Sequence, residues 1–301
     1  MVNPVIEDIK QKIRNGNPVT RLIIINVAVF LTISVLHIFL FITGGATFFN
    51  SLFNFIKNNI SLPLSIQGFL YKPWTIITYM FTHIELGHIF WNMITLFWFG
   101  QILSNYSSEK KIIPLYLLGG IAGALITILL FAIFPIFEPY RIMPMVGASA
   151  GVTAIIIASA TLVPNFQMNM LLIGPVKLIY VALFVLFIDV LNVASYSNIG
   201  GNIAHLGGAL MGYIFIVQYK KGKDWSIGIN RILDWLGGIL KIFKKNKLKV
   251  VHRRSVSDEE YNYNKKANQQ QIDTILDKIS KSGYESLSKS EKEILFKASN
   301  K

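Results

Sequence analysis

The chain has 301 residues, of which 52% are hydrophobic and only 15% are charged, and its mean hydropathy is +0.49. Soluble domains carry about 25% charged residues, so this composition indicates a membrane protein. The absence of cysteine excludes disulfides, a thiolate nucleophile and cysteine metal sites. The net charge of +13 comes from basic residues that flank apolar segments, which favours anionic lipid over nucleic acid as the partner.

The first predicted element is a membrane-spanning helix over about residues 22–42. The basic residues before it are Lys10, Lys12, Arg14 and Arg21. An apolar stretch of about 20 residues is long enough to cross the hydrocarbon core. A cleaved secretory signal has a shorter apolar region and a small-residue cleavage site, so we expect this helix to be retained.

Further apolar stretches predict five more spans, which gives an all-α membrane protein with six transmembrane helices. The additional spans lie at about residues 83–103, 112–134, 146–163, 175–193 and 203–219. The third span carries Gly119 and Gly123 at a spacing that permits close helix approach. The fourth and sixth spans are short and rich in small residues, which predicts that they lie inside the bundle.

The distribution of loop charge predicts the orientation of the spans, because cytoplasmic loops carry an excess of lysine and arginine. Beyond the N-terminal group, the basic loop residues are Lys110, Lys111, Lys220, Lys221 and Lys223. All of these fall on one side of a six-span arrangement. The opposite side receives the long segment 44–82, the loop around residues 138–141 and the uncharged loop 192–202. Both termini are therefore expected in the cytoplasm.

The segments outside the spans have different characters. Residues 1–21 are expected to form a cytoplasmic N-terminal segment before the 22–220 core. The segment 44–82 is too apolar for a solvated loop and is predicted to lie, as irregular structure, in the membrane interface. Residues 221–254 combine helical apolar spacing with a terminal lysine and arginine run, which favours an amphipathic helix on the anionic membrane surface. The alternative is a helix packed on the bundle with a solvated basic end.

The last part of the chain, residues 255–301, predicts a cytoplasmic linker followed by a small helical tail. Residues 255–270 are polar and are expected to be the linker. Gly283 is expected to end the first tail helix, and Ser288 with Glu291 predicts a capping box at the start of the second.

Polar residues within membrane spans are costly and are commonly functional. They occur near the same ends of spans two, four and six, which run in the same direction, so a shared pocket is geometrically possible. These residues are His83, His88, Asn92, Ser149 and His205.

Ser149 is the candidate nucleophile, and His205 is the candidate base that activates it. No acidic residue lies near Ser149 in sequence, so a dyad is expected and not a triad. Ser149 follows Pro144 and Gly147 at a predicted helix N-terminus, where free amides could hold an oxyanion. His88 and Asn92 are four residues apart, hence on one helix face, and could donate to the same oxyanion.

Two other interpretations of these residues are open. A serine among glycine and alanine in a membrane helix is often a packing residue. His83, His88 and His205 could instead bind zinc, but the HExxH pattern is absent and Glu85 is the only nearby carboxylate. We therefore expect no metal.

Three motifs resemble those of the rhomboid intramembrane serine proteases. HIELGHIFWN (83–92) is similar to the histidine and asparagine pattern of their second span, VGASAG (146–151) to the nucleophile motif of the fourth, and AHLGGALMG (204–212) to the histidine–glycine motif of the sixth. Trp74 resembles a tryptophan at the end of their long first loop. The resemblance covers about residues 20–220.

The resemblance implies a six-helix rhomboid core in which Ser149 is the nucleophile and His205 the base. The amide of Ser149, with His88 and Asn92, would form the oxyanion hole. The residues with implied structural roles near the site are His83, Gly147, Gly151, Gly208, Gly212 and Trp74. Gly208 and Gly212 would bring span six against span four, and His83 would support the first loop. The substrate would be a transmembrane helix of another protein, and no metal or organic cofactor would be needed.

The sequence departs from the family pattern at three positions. Ala150 replaces the second glycine of the nucleophile motif, and Thr75 follows Trp74 where many members have arginine. Thr153 stands where some members stack a tyrosine on the base, so His205 must be oriented in another way.

Two other function classes compete with the protease. A non-catalytic rhomboid-like protein that binds membrane helices usually lacks the serine or the histidine, and this chain has both. A transporter or channel would need more charge within its spans than Lys177 and Asp189. The richness in isoleucine, lysine and asparagine is typical of an AT-rich bacterial genome, and the expected location is the bacterial cytoplasmic membrane.

Overall fold

The structure is a computed structural model that describes residues 16–42, 46–170, 173–242 and 258–299. The chain divides into two compact units, residues 1–242 and 243–301. The predicted basic N-terminal residues before Asn15 and the lysine and arginine run after Ile242 lie outside the described residues.

The first unit is almost entirely helical. In chain order its helices are α1 (Pro18–Ile42), α2 (Ala46–Ile60), α3 (Ile66–Tyr71), α4 (Thr75–Thr78), α5 (Leu86–Tyr106), α6 (Ile112–Ile133), α7 (Ser149–Leu162), α8 (Leu178–Ala194), α9 (Ile199–Lys220) and α10 (Ser226–Ile242). Short 3-10 turns occupy Tyr79–Phe81, Glu109–Lys111 and Pro135–Tyr140. The predicted start of span five is wrong by a few residues, because β1 (Gln167–Met170) and β2 (Gly174–Lys177) form an antiparallel hairpin before α8.

Each of the six predicted spans is a helix. Among the described residues, α1, α5, α9 and the helical stretch Glu109–Ile133 are long and apolar enough to cross a membrane, whereas α7 and α8 are shorter. The expectation that span six is short is wrong, because α9 has 22 residues. At about 1.5 Å per residue, the 14-residue α7 is shorter than a hydrocarbon core of about 30 Å.

Helix α7 is the centre of the bundle and packs against α5, α6, α8 and α9. Every residue from Ala150 to Ala160 is buried. Small residues allow this close packing: a Cβ at Gly119 would overlap the Ala154 side chain, and a Cβ at Gly208 or Gly212 would overlap a backbone carbonyl of α7. The close approaches predicted at these glycines are therefore present.

The prediction of irregular structure between α1 and α5 is wrong. This segment consists of α2, α3, α4 and a 3-10 turn. Its members are tied together by polar contacts, including a 2.8 Å hydrogen bond from Trp74 Nε1 to the carbonyl of Asn59. The segment also contacts the chain just before α7, because Leu62 and Met145 exchange backbone hydrogen bonds of 2.9 Å. The first loop is thus a structured support for the start of α7.

Helix α10 begins on the bundle and presents an apolar face outward. Asn230 donates a 3.0 Å hydrogen bond to the carbonyl of Lys110, and Lys111 Nζ lies 3.2 Å from a carboxylate oxygen of Asp224 in the turn before α10. The exposed apolar residues of the helix are Ile227, Ile232, Trp235 and Leu236. The start of the helix therefore packs on the bundle, as in one predicted arrangement, while its apolar residues are exposed, as in a helix on the membrane surface.

The second unit contains α11 (Asp258–Ser282), a 3-10 turn at Tyr284–Ser286 and α12 (Lys289–Ser299). The predicted polar linker is helical from Asp258 onward. Gly283, with φ of +78°, follows the end of α11, and the capping box is present: the Ser288 amide donates to Glu291 at 2.7 Å. Hydrogen bonds from Lys278 and from Ser288 lower the pKa of Glu291 to about 2.

Candidate active site

One cavity of about 600 Å³ brings together four of the polar residues that the sequence analysis selected. They are Ser149, His205, His88 and Asn92. The same cavity is lined by apolar side chains of α5, α7 and α8, namely Trp91, Val152, Ile156, Phe184, Val185 and Ile188. His83 and Trp74, also selected from the sequence, do not line it. The cavity thus combines a small polar end with apolar helix faces.

Ser149 is the first residue of α7, and Ala148 precedes the helix as its N-cap residue. The hydrogen-bond ladder of α7 begins with the Val152 amide, which donates to the Ala148 carbonyl at 3.0 Å. The amides of Ser149, Ala150 and Gly151 come before this bond and have no carbonyl four residues back within the helix. The positive end of the helix dipole lies at the same place. A negative charge that develops beside Ser149 would be stabilised there.

The segment that carries Ser149 is fixed by hydrogen bonds from residues far away in sequence. The Gly147 amide donates to the Tyr79 carbonyl at 2.9 Å, and the Ala148 amide donates to His83 Nε2 at 3.3 Å. His83 is fully buried. His83 was expected to support the first loop, and here its ring accepts a hydrogen bond from the turn before the serine.

Position 147 requires glycine for two reasons, the backbone conformation and the lack of room for a side chain. Its φ of +126° is one that residues with a side chain rarely adopt, and a Cβ there would lie 2.6 Å from Cε1 of His88. Gly151 has a different constraint, because its Cβ would lie 2.6 Å from the Tyr116 carbonyl oxygen. The first glycine brings His88 against the turn before Ser149, and the second brings α6 against α7.

His88 and Asn92 lie on one face of α5, as predicted, and both border the cavity. The Asn92 side-chain amide donates to the His88 carbonyl at 2.9 Å in this structure. An amide nitrogen has two N–H groups, so one remains available to a ligand. The imidazole rings of His83 and His88 meet edge to face at 5.1 Å, which limits the rotation of His88.

His205 lies in the second turn of α9, and its Nδ1 is 2.8 Å from a carboxylate oxygen of Asp189 on α8. Asp189 is buried, with 5% exposure. The expectation that the histidine has no acidic partner is therefore wrong. The sequence analysis missed this pair because the two residues lie in different spans. The signal that could have found Asp189 is that it is the only acidic residue in the predicted fifth span, since intramembrane carboxylates are commonly functional.

A second cavity of about 720 Å³ adjoins the first and shares five lining residues with it, namely Glu85, His88, Val146, Asn198 and Gly201. Its lining includes one basic residue, Lys57, and one acidic residue, Glu85. It also includes Tyr140 and Tyr196, whose rings stack with centroids 6.4 Å apart. The site therefore adjoins a space that carries two opposite charges, whereas its own wall on α5, α7 and α8 is apolar.

Comparisons with known proteins bear on the first unit and the second separately. The family model described as "Rhomboid domain" matches residues 71–221, half of the chain, and a "Family of unknown function (DUF6576)" matches residues 256–301. The chain is 32% identical over 182 residues to "RHOMBOID-like protein 12, mitochondrial" of Arabidopsis thaliana, covering 56% of this chain and 53% of that protein. It is 31% identical over 155 residues to "Rhomboid-related protein 1" of Caenorhabditis elegans, covering 50% and 41%. The chain thus spans about half the length of the curated relatives it matches.

Proposed function

Because the chain belongs to the rhomboid family and is an integral membrane protein, we propose that it is an intramembrane serine endopeptidase that cleaves transmembrane helices of other proteins. The observation that carries the proposal is the position of Ser149 at the free N-terminal end of α7, in one cavity with His205, His88 and Asn92. These are the groups that acyl transfer needs: a nucleophile, a base and oxyanion donors.

In the proposed reaction, Ser149 Oγ attacks the carbonyl carbon of a peptide bond while His205 Nε2 takes the hydroxyl proton. The resulting oxyanion is held by the Ser149 amide and by donors from His88 and Asn92. His205 then gives the proton to the leaving amine, and the C–N bond breaks to leave an acyl-enzyme. A water molecule attacks the ester, with His205 again as the base, and releases the second product and the free serine.

The apolar wall of the cavity supports a transmembrane helix as the substrate. Trp91 of α5 and Phe184, Val185 and Ile188 of α8 offer a hydrophobic surface beside the serine. A helical peptide bond is shielded by its own hydrogen bonds, so the substrate must unwind locally before Ser149 can reach it. The adjoining cavity carries Lys57 and Glu85, whose charged groups could bind water and the polar backbone of the unwound substrate.

A fluorophosphonate probe, which reacts with activated serines, tests the proposal directly. We expect the detergent-purified wild type to be labelled at Ser149 and the Ser149→Ala variant to remain unlabelled. Ser159→Ala is the matched control, because Ser159 lies in the same helix but is buried against the Phe99 carbonyl. Absence of labelling in a folded wild type would favour a non-catalytic rhomboid-like protein, with Ser149 as a packing residue.

The oxyanion donors are expected to contribute partially. Removing one donor from the oxyanion hole of a soluble serine protease lowers the rate by about 10²–10³. We expect His88→Ala and Asn92→Ala each to lower kcat for a transmembrane substrate by a factor in that range, with folding retained. The measurement is steady-state cleavage in detergent. Wild-type kcat in both variants would remove these two residues from the oxyanion hole.

We also propose that both termini are cytoplasmic and that α10 lies on the anionic membrane surface. The support is the loop charge, the exposed apolar face of α10 and the lysine and arginine run that follows it in sequence. A protease-sensitive tag at the C-terminus is expected to be cut in inverted membrane vesicles and protected in right-side-out vesicles. The reverse pattern would contradict the orientation.

A further inference from the structure

Asp189 occupies a position that the dyad chemistry leaves unexplained. It lies on α8, its Oδ1 is 2.8 Å from His205 Nδ1 on α9, and its side chain is 7% exposed. Its second oxygen, Oδ2, has no hydrogen-bond partner among the described residues. A buried carboxyl group in a membrane helix is costly and is commonly functional, and this one has a partner for only one of its two oxygens.

We propose that Asp189 is the positioning residue for His205 and that it extends the proposed Ser149–His205 dyad to a serine–histidine–aspartate arrangement. A neutral imidazole carries one N–H and one acceptor nitrogen. The hydrogen bond that one nitrogen makes determines which nitrogen carries the proton. With Nδ1–H donating to Asp189, Nε2 is left unprotonated on the other side of the ring, where it can accept the proton of Ser149.

No aromatic side chain at position 153 can hold the ring of His205 in place, so the ring needs another partner. Thr153, one turn after Ser149, is buried and borders the cavity, but it has no ring that could stack on the imidazole. The described hydrogen bond that can orient the ring of His205 is the one to Asp189 on α8. Asp189 fixes the ring rotation with one hydrogen bond to Nδ1.

Asp189 also stabilises the charge that forms during catalysis. When His205 Nε2 takes the serine proton, the ring becomes a cation and its Nδ1–H remains bonded to the carboxylate. Two carboxylates line the cavity, those of Glu85 and Asp189, and the one bonded to the ring, at 2.8 Å from Nδ1, is that of Asp189. In this step no proton moves to Asp189.

This inference rests on the proposed protease function, and its main test is the Asp189→Asn variant. The asparagine has the same shape, but its amide can donate to Nδ1 and place the ring proton on Nε2, where the ring can no longer accept from serine. The corresponding changes in soluble serine proteases lower kcat by about 10⁴. We expect a fall in kcat of about 10²–10⁴, with KM and the thermal unfolding temperature close to wild type. Val190→Ala, a change at the exposed neighbour, is expected to leave kcat unchanged.

The outcomes separate the two proposals. A wild type that neither cleaves nor labels would overturn the protease function, whereas an active wild type with near wild-type kcat in Asp189→Asn would overturn the role of Asp189 alone. If Asp189→Asn does not fold, nitrogen-15 NMR of the wild type decides, with His205 assigned from the His205→Gln variant. A proton on Nδ1 of His205 supports the positioning role, and a proton on Nε2 overturns it.

Discussion

Replacing Ser149 or His205 by alanine is expected to abolish cleavage of a transmembrane substrate, and the double variant is expected to be no worse than either single one. In a soluble serine protease, loss of the serine or the histidine lowers kcat by about 10⁶, and the losses do not add because the residues act as one unit. The same non-additivity is expected here if His205 acts only through Ser149. The measurement is product formation in proteoliposomes from a transmembrane segment that contains helix-destabilising residues.

The folded state of these variants must be checked with the same samples. Both side chains border a cavity and neither is fully buried, so we expect membrane insertion and the thermal unfolding temperature to be retained. Cleavage by Ser149→Ala at the wild-type rate would assign the activity to another group or to a contaminant. Additive losses in the double variant would mean that His205 acts independently of Ser149.

Gly208→Ala is expected to destabilise the bundle and to lower cleavage, although it adds a single methyl group. The new Cβ would overlap the carbonyl of Ala150, the residue next to Ser149. Alanine gains about 1 kcal/mol over glycine in a helix, but overpacking costs about 1–3 kcal/mol, and a backbone carbonyl cannot rotate away as a side chain does. Helices α7 and α9 must therefore move apart, and a displacement of 1 Å at a reacting group can lower the rate by about 10².

Gly238→Ala provides the matched control, because it makes the same substitution on α10 where a Cβ would meet nothing within 4 Å. This variant is expected to unfold at the wild-type temperature or slightly above it and to cleave normally. The two variants are compared by thermal unfolding and by kcat in detergent. A Gly208→Ala protein with unchanged kcat and unfolding temperature would mean that α9 can shift without moving Ser149.

Local patterns were sufficient to predict much of the helical framework. Apolar stretches located a helix at each of the six predicted spans, and four of these helices among the described residues are long and apolar enough to cross the hydrocarbon core. The capping box at Ser288 and Glu291 was equally local, since its two partners are three residues apart. The boundaries were less predictable: the β1–β2 hairpin replaces the start of the predicted fifth span, and the first loop has contacts with distant parts of the chain, such as the pair Leu62 and Met145.

The sequence by itself determined which residue types could carry chemistry, because serine, histidine and asparagine stand out within apolar spans. It also determined where helices could pack closely, since Gly208 and Gly212 recur at helical spacing. Only the tertiary structure decided which groups face one another. Asp189 and His205 lie on different helices, and their 2.8 Å contact depends on how α8 is placed against α9. The support of the Ser149 turn by His83 and Tyr79 has the same origin, because side-chain packing, and not local periodicity, sets the distance between helices.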